Sequence, residues 1–491
     1  MQRSSVRRGN RGITFAVLAV AAASFSLLQS LIVPILSTLQ VEFATDQSTV
    51  TWVLTGYLLS ASVATPLLGR LGDSIGKKRV LVGALGALAV GSVAAALAPT
   101  IGWLIAARVL QGIGGGVMPL CFGILRDEFR ERMQSAISVI ASLLAVGFAG
   151  GLVLAGPVVE AVGISGLFWL PAIVTGLAAL AALLFVPESP VRSRTRLPLV
   201  PAVLLAAWLV ALLLGISQGN AWGWTSARVL GLFAAALVLA AAWITVENRA
   251  RVPLIDMGMM RRRGVWTSNV VAGCVGFGMF GAFGFLPQLM QTPSEVGYGF
   301  GASITESGHL LLPSAIVSFL VGFVSARLVG WVGARTVITS GLLLTGASFA
   351  GMGLLHDEPW ELVAVTIVQG FGSGLVFASL AGVVVSSVPP SQTGVATGMN
   401  NNIRTIGGSI GSAVMAGILA AHVGAGGFPA ERGYTLGFVL LGVVTAVAAL
   451  ASVLMPATHR QPTAGPLADA ADGELGLVPG GTLPSRPGQA A

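Results

Sequence analysis

Gly69-Arg70-Leu71-Gly72-Asp73-Ser74-Ile75-Gly76-Lys77-Lys78-Arg79 is a charged, glycine-punctuated stretch between two apolar runs, at about 50–69 and 79–98. Each run has the roughly 20 residues that a helix needs to cross a bilayer. The stretch between them reads as a loop: Gly72 and Gly76 permit a tight turn, and Asp73 is one acid among four bases. Working outward, similar runs fall at about 13–36, 101–124, 135–160, 166–186, 198–217 and 227–246, and then at about 265–290, 304–326, 336–355, 361–385, 395–421 and 433–455. Backbone polar groups in lipid must be satisfied internally, so these fourteen runs are expected to be helices. Composition agrees. Of 491 residues 54% are hydrophobic and 9% charged, against roughly 25% charged in a soluble domain.

The opening stretch has a partner. Gly69-Arg70-Leu71 with Gly76, Lys78 and Val80 recurs as Ala326-Arg327-Leu328 with Gly333, Arg335 and Val337, 257 residues on. Gln111-Gly112 with Gly114 and Gly116 recurs as Gln369-Gly370 with Gly372 and Gly374, 258 residues on. The repeats are parallel, as expected when two six-helix bundles are related by an axis along the membrane normal. This gives an all-α integral membrane protein with a short N-terminus (1–12), a six-helix bundle (13–186), a linker carrying two additional helices (187–264), a second six-helix bundle (265–455) and a Pro- and Gly-rich tail (456–491), expected to be disordered.

A formal charge of +8 raises nucleic-acid binding, but the positions of the bases exclude it. Of 27 Lys and Arg, 23 fall at one end of the predicted helices, Arg228 and Arg432 at the other, and Arg108 and Arg404 inside. That asymmetry predicts that both termini are cytoplasmic; the inner membrane is the expected location. Arg3, Arg7, Arg8 and Arg11 precede an apolar run that is longer than a signal-peptide core and has no clear cleavage site, so it is read as a retained first helix. Cys121 and Cys274 lie in apolar runs and suggest neither a metal site nor a disulfide.

With these features in place, the sequence resembles the major facilitator superfamily. The 69–79 stretch is similar to its signature loop. Arg108-Val109-Leu110-Gln111-Gly112 followed by Gly114-Gly115-Gly116 resembles the second signature of its proton-driven drug antiporters. Gly147, Gly151 and Gly156-Pro157 partly match a third, although Leu152 stands where that motif has proline. Asn400-Asn401-Asn402-Ile403-Arg404, ahead of Gly407-Gly408, and the two additional helices narrow the resemblance to the fourteen-helix drug:proton antiporter branch. The aspartate usual in that branch's first helix is missing, the segment here being Leu27-Leu28-Gln29-Ser30-Leu31.

The resemblance implies a secondary transporter working by alternating access: proton-coupled efflux of small amphipathic, aromatic or cationic compounds, with the lipid bilayer and protons as its other partners. A monomer is expected, with no cofactor, metal or enzymatic activity, and no ATP-binding loop is present. The expected cavity residues are Gln29, Tyr57, Arg108, Gln111, Phe280, Asn401 and Arg404, with Met279, Phe283 and Phe285 as an adaptable apolar surface. An intramembrane arginine is a functional candidate by default; the alternatives are a hydrogen-bond hub for Arg108, and interhelical glue for Arg404 with the asparagines. Proton-coupling candidates are Glu160, Glu306 and His309, all near outer helix ends. Gly69, Asp73, Gly76, Lys77, Lys78 and Arg79 would form a breakable latch between bundles, or serve topology alone. Gly112, Gly116, Gly147, Gly151, Gly156 and Pro157 would set helix packing. The alternatives are a carrier of a specific anionic metabolite, suited to two arginines without a midplane acid, and a transport-dead sensor.

Overall fold

The computed structural model describes residues 11–129, 133–188, 199–250, 253, 255–388, 393–424 and 427–456. Most of the predicted leader and tail lies outside them. The first half contains α1 (Arg11–Glu42), α2 (Gln47–Ile75), α3 (Lys77–Ala96), α4 (Ile101–Glu128), α5 (Met133–Val162) and α6 (Gly166–Phe185). Two central helices follow, α7 (Leu199–Trp222) and α8 (Ala227–Arg249). The second half contains α9 (Arg263–Gln291), α10 (Ile304–Val332), α11 (Ala334–Leu354), α12 (Pro359–Ser386), α13 (Thr393–Ala421) and α14 (Glu431–Val453). Among the described residues, thirteen helices are long and apolar enough to cross a membrane. The remaining one, α5, has 30 residues, of which only Glu160 is charged. The protein is a multi-pass membrane protein.

Local chemistry sets the helix ends. Asp46 caps α2 by accepting the N–H groups of Ser48 (2.9 Å) and Thr49 (3.0 Å). Ser303 and Glu306 form a reciprocal capping box at α10, which satisfies two otherwise orphaned groups. The 69–79 stretch is less of a loop than its glycines suggest. The α2 helix continues through Ile75 and α3 starts at Lys77, so Gly76 alone makes the joint, at φ +117°. Gly72 is helical. Its role is proximity: a Cβ there would stand 2.3 Å from Leu120 Cδ2 on α4. The repeat mate of Gly76, Gly333, joins α10 to α11 in the same way, at φ +84°.

The largest apolar core runs through the first half and continues into the second, with Phe285, Leu289 and Phe438 among its members, a smaller core lies within the second half, and the halves meet along two seams, α2 against α13 and α5 against α10. These seams are mates under the internal repeat. Leu205 and Leu209 of α7 pack with Leu59 and Val63 of α2 and Met399 and Ile403 of α13, covering one seam from the side. The α8 helix packs mainly on α7 and is otherwise largely exposed. In α4, Gly112 would meet the Tyr57 carbonyl oxygen at 2.7 Å and Gly116 the Leu68 Cβ at 2.5 Å if either carried a Cβ, so both draw α4 onto α2. On α5, Gly147 faces Ala23 and Gly151 faces Leu27 and Ser30 of α1, while Gly156 faces Thr305 of α10 across the seam. Pro157 is exposed within α5.

Candidate functional site

A cavity of about 200 Å³ lies between the halves. Its wall is largely aromatic. From the first half come Phe25 of α1, Phe122 of α4 and Phe148 of α5. From the second come Phe280 and Phe283 of α9 and Phe377 of α12. Phe148 meets Phe280 (centroids 6.2 Å apart, planes at 90°) and Phe283 (5.9 Å, 62°) edge-on, so rings of both halves form one surface.

The polar groups are concentrated on the second half. Arg404 of α13 donates to Asn401 Oδ1, and its guanidinium carbon lies 5.2 Å from the Phe377 ring centroid. Asn400 Nδ2 donates to the Ser268 carbonyl and to Asn269 Oδ1, both at 3.0 Å, tying α13 to α9. Gln29 of α1 and Gln369 of α12 complete the lining, 8% and 3% exposed. Among the described lining residues Arg404 is the only charged one.

The cavity is sealed at the end away from the 69–79 stretch. There Ser37 donates to Gln291 Oε1 (2.5 Å), and Gln291 Nε2 to the Pro34 carbonyl (2.7 Å). The Gln47 and Gln288 amides pair reciprocally (3.1 and 2.8 Å), and Thr305 donates to Glu160. All of these cross between halves. Toward the other end the lining runs to Val384 and Thr397, close to the ends of their helices. Replacing both Gln47 and Gln288 by Ala removes a buried reciprocal pair worth about 1–3 kcal/mol. The expected result is faster labelling by a membrane-impermeant maleimide of a cysteine placed at Phe25, applied from the sealed end; unchanged labelling would show that this pair does not hold the seal.

Of the predicted cavity residues, Gln29, Phe280, Asn401 and Arg404 line the cavity, together with Met279 and Phe283. Phe285 is buried in the core instead. Tyr57, Arg108 and Gln111 do not reach the cavity, which corrects the expectation. Arg108 is 1% exposed inside the first half. Its Nε donates to the Val53 carbonyl (3.0 Å) and Nη1 to Gln111 Oε1 (2.7 Å), while Gln111 Nε2 donates to Ser92 Oγ (2.9 Å). The guanidinium lies 4.4 Å from the Tyr57 ring centroid. This hub joins α2, α3 and α4, because the close approach at Gly112 turns this face of α4 onto α2. Sequence reasoning missed Phe122, Phe148 and Phe377, whose positions look like any apolar face. It noticed Gln369 only as the mate of Gln111.

Glu160, Glu306 and His309 are exposed at the sealed end. Glu160 spans the α5–α10 seam through Thr305, whereas the Glu306 carboxylate accepts the Ser303 N–H at 2.8 Å. At the other end Lys77 is 3% exposed. Its Nζ lies 2.6 Å from Asp127 and 3.8 Å from Asp73, and Arg79 pairs with Glu188 at 3.6 Å. Lys78 is half-buried. A second cavity of about 80 Å³ brings Gly69, Asp73 and Lys77 near Gly398 and Met399 of α13.

Two helical halves related by a repeat and enclosing a cavity sealed at one end define a membrane transporter. The family model described as Major Facilitator Superfamily matches residues 18–412 and, in a second placement, residues 269–487. The chain belongs to that superfamily. It is 30% identical to a cephamycin export protein of Amycolatopsis lactamdurans, over 91% of this chain and 93% of that protein. It is 29% identical to a tetracenomycin C resistance and export protein of Streptomyces glaucescens, over 85% of this chain and 77% of the relative. Among solved structures, a human organic anion transporter superposes with a TM-score of 0.64 at 16% identity, covering 90% of this chain and 99% of that one; this likeness speaks to the fold alone.

Proposed function

We propose that this transporter exports small amphipathic drugs or antibiotics across the inner membrane by alternating access, in exchange for protons, as a monomer with both termini in the cytoplasm. The observation that carries the reading is the cavity itself. Both halves build its wall, one end is held shut by hydrogen bonds that cross between halves, and the lining runs toward the end that bears the basic loops. The placement of 23 of 27 Lys and Arg supports that end as cytoplasmic. The names of the export relatives support efflux as the direction.

Glu160 is the carboxylate we place in the coupling step. It is an acceptor for Thr305 across a seam that must open, and protonation would remove the charge that strengthens this bond. Glu306 and His309, one turn apart on α10 beside it, are the second choice.

The test uses everted vesicles with an acid interior and a pH-sensitive dye. Adding a transported compound is expected to release protons from the interior, and Glu160→Gln is expected to abolish that release while leaving the protein inserted. No proton release with any of a chemically broad panel of antibiotics, despite verified insertion, would refute proton-coupled efflux.

A further inference from the structure

We infer that the cavity selects compounds with an anionic group on a planar aromatic body, and that Arg404 is the residue that reads the anion; the inference rests on taking this cavity as the transport site. Cations, which the sequence resemblance favours, are disfavoured by the wall itself. A lipophilic cation entering from water gains cation–π attraction from the rings, but it also loses hydration that a carboxylate or a face of acceptors would replace, and it meets a like charge at Arg404. Among the described lining residues there is no Asp or Glu, and the only charge is positive.

Arg404 is the reverse case, a charge without its complement. No carboxylate pairs with it among the described residues, and one N–H group is used on Asn401. A guanidinium has five N–H donors in a fixed fork that matches a carboxylate in a bidentate manner. An arginine at membrane depth is costly unless a partner or a water-filled cavity serves it. A bound anion would serve as that partner. Two further donors face the same space. The side-chain amides of Gln29 and Gln369 come from opposite halves, and neither has a hydrogen-bond partner among the described residues. An anion held between them and Arg404 would therefore touch both halves and be sensitive to their separation.

The apolar part of the ligand follows from the rings. Phe148, Phe280 and Phe283 present edges and faces from both halves to one volume. Phe377 already stacks under the Arg404 guanidinium. An aromatic body against this wall places its acidic substituent toward α13. Arg108 is no competitor for the anion, since Val53, Gln111 and Tyr57 close it off inside the first half.

The test measures binding to the purified full-length protein in lipid nanodiscs by equilibrium dialysis, with three matched probes: 2-naphthoate, its methyl ester and 2-naphthylmethyl-trimethylammonium. The expected order places naphthoate at least about tenfold tighter than the ammonium, the size of one charge-assisted hydrogen bond. Arg404→Gln should lower naphthoate affinity by about the same factor and leave the ester unchanged within about twofold. Arg404→Lys should fall between, having charge without the fork. The inference is overturned if the ammonium binds as tightly as naphthoate, if naphthoate does not bind, or if Arg404→Gln keeps naphthoate affinity or loses ester and acid alike. Vesicle flux of naphthoate is then read separately. Arg404-dependent binding without flux would refute the export reading and leave the anion site standing.

Discussion

Gly407→Val is expected to leave no folded transporter in the membrane. A Cβ at Gly407 would stand 2.0 Å from the Gly273 carbonyl oxygen, one at Gly411 2.2 Å from that of Phe277, and one at Gly276 1.9 Å from that of Arg404. These obstacles are backbone, not the movable end of a side chain. The α9 and α13 helices interlock through small residues that let their backbones touch, as membrane helices do where lipid gives no hydrophobic drive to associate. Relieving the clash means pushing the helices apart by on the order of 1 Å, and close-packed interiors transmit such a shift. The Asn400 bonds to Ser268 and Asn269 would lengthen with it, and the close approach of Gly408 to Phe280, where an added Cβ would stand 2.3 Å from the ring, would open and loosen the cavity wall. The cost should reach about 3 kcal/mol or more, the upper range for overpacking. Gly382→Ala is the control: it is exposed on α12, nothing lies within 4 Å, and it removes a mid-helix glycine at no steric cost. Fluorescence-detected size-exclusion chromatography of the two variants measures the contrast. A monodisperse Gly407→Val peak at the parent's yield would refute the interlock.

Much of the fold was legible in the sequence because lipid allows so few alternatives. An apolar run of sufficient length must be a helix. The repeat was legible too, because Gly76 and Gly333 hold the same positive-φ joint and cannot drift far. The site was legible only in part, for a physical reason. In a soluble helix the polar face marks the outside. In α4 and α13 the outside is lipid, so a polar residue reports only that it faces inward. Arg108 and Arg404 look alike on that evidence, each preceding glycines on an apolar helix. One faces the core of its own half, the other the space between halves. Gln111 and Gln369 divide the same way although they occupy equivalent repeat positions: Gln111 is spent on Arg108 and Ser92, while Gln369 lines the cavity. The deciding variable is which neighbour a helix approaches most closely, and that is set by backbone contacts such as Gly112 on Tyr57. The 69–79 stretch was over-read as a loop because glycine serves two purposes. Gly72 is there to admit Leu120, and only Gly76 turns the chain.

The bases of that stretch divide by the same logic, and Lys77 is where they divide most sharply. Topology would treat Lys77, Lys78 and Arg79 as interchangeable positive charges. Burial does not. The Lys77 side chain is 3% exposed, its stem lies 3.0 Å from where a Gly123 Cβ would be, and its ammonium sits 2.6 Å from Asp127, itself 7% exposed. Arg79 is 67% exposed, and its pair with Glu188 spans 3.6 Å. Removing one member of a buried pair strands the other charge, at a cost of about 3–5 kcal/mol, whereas an exposed pair is worth roughly 0–1 kcal/mol. Arg126 lies 3.7 Å from the same aspartate and offsets part of the loss, so Lys77→Met is expected to cost about 3 kcal/mol. Arg79→Gln should cost less than about 0.5 kcal/mol. Adding Asp127→Asn to Lys77→Met should recover more than about 1 kcal/mol, because the buried negative charge that Lys77 faced is then gone. Thermal unfolding in detergent of the two single variants, Asp127→Asn and the double variant gives the cycle. If Lys77→Met unfolds alongside Arg79→Gln, the lysine serves topology only. If the cycle shows coupling, Lys77 binds the start of α3 to the end of α4, beside the second cavity where Asp73 stands near Gly398 and Met399 of α13. Under the proposed alternating access, a first half stiffened at that point would move against α13 as one body.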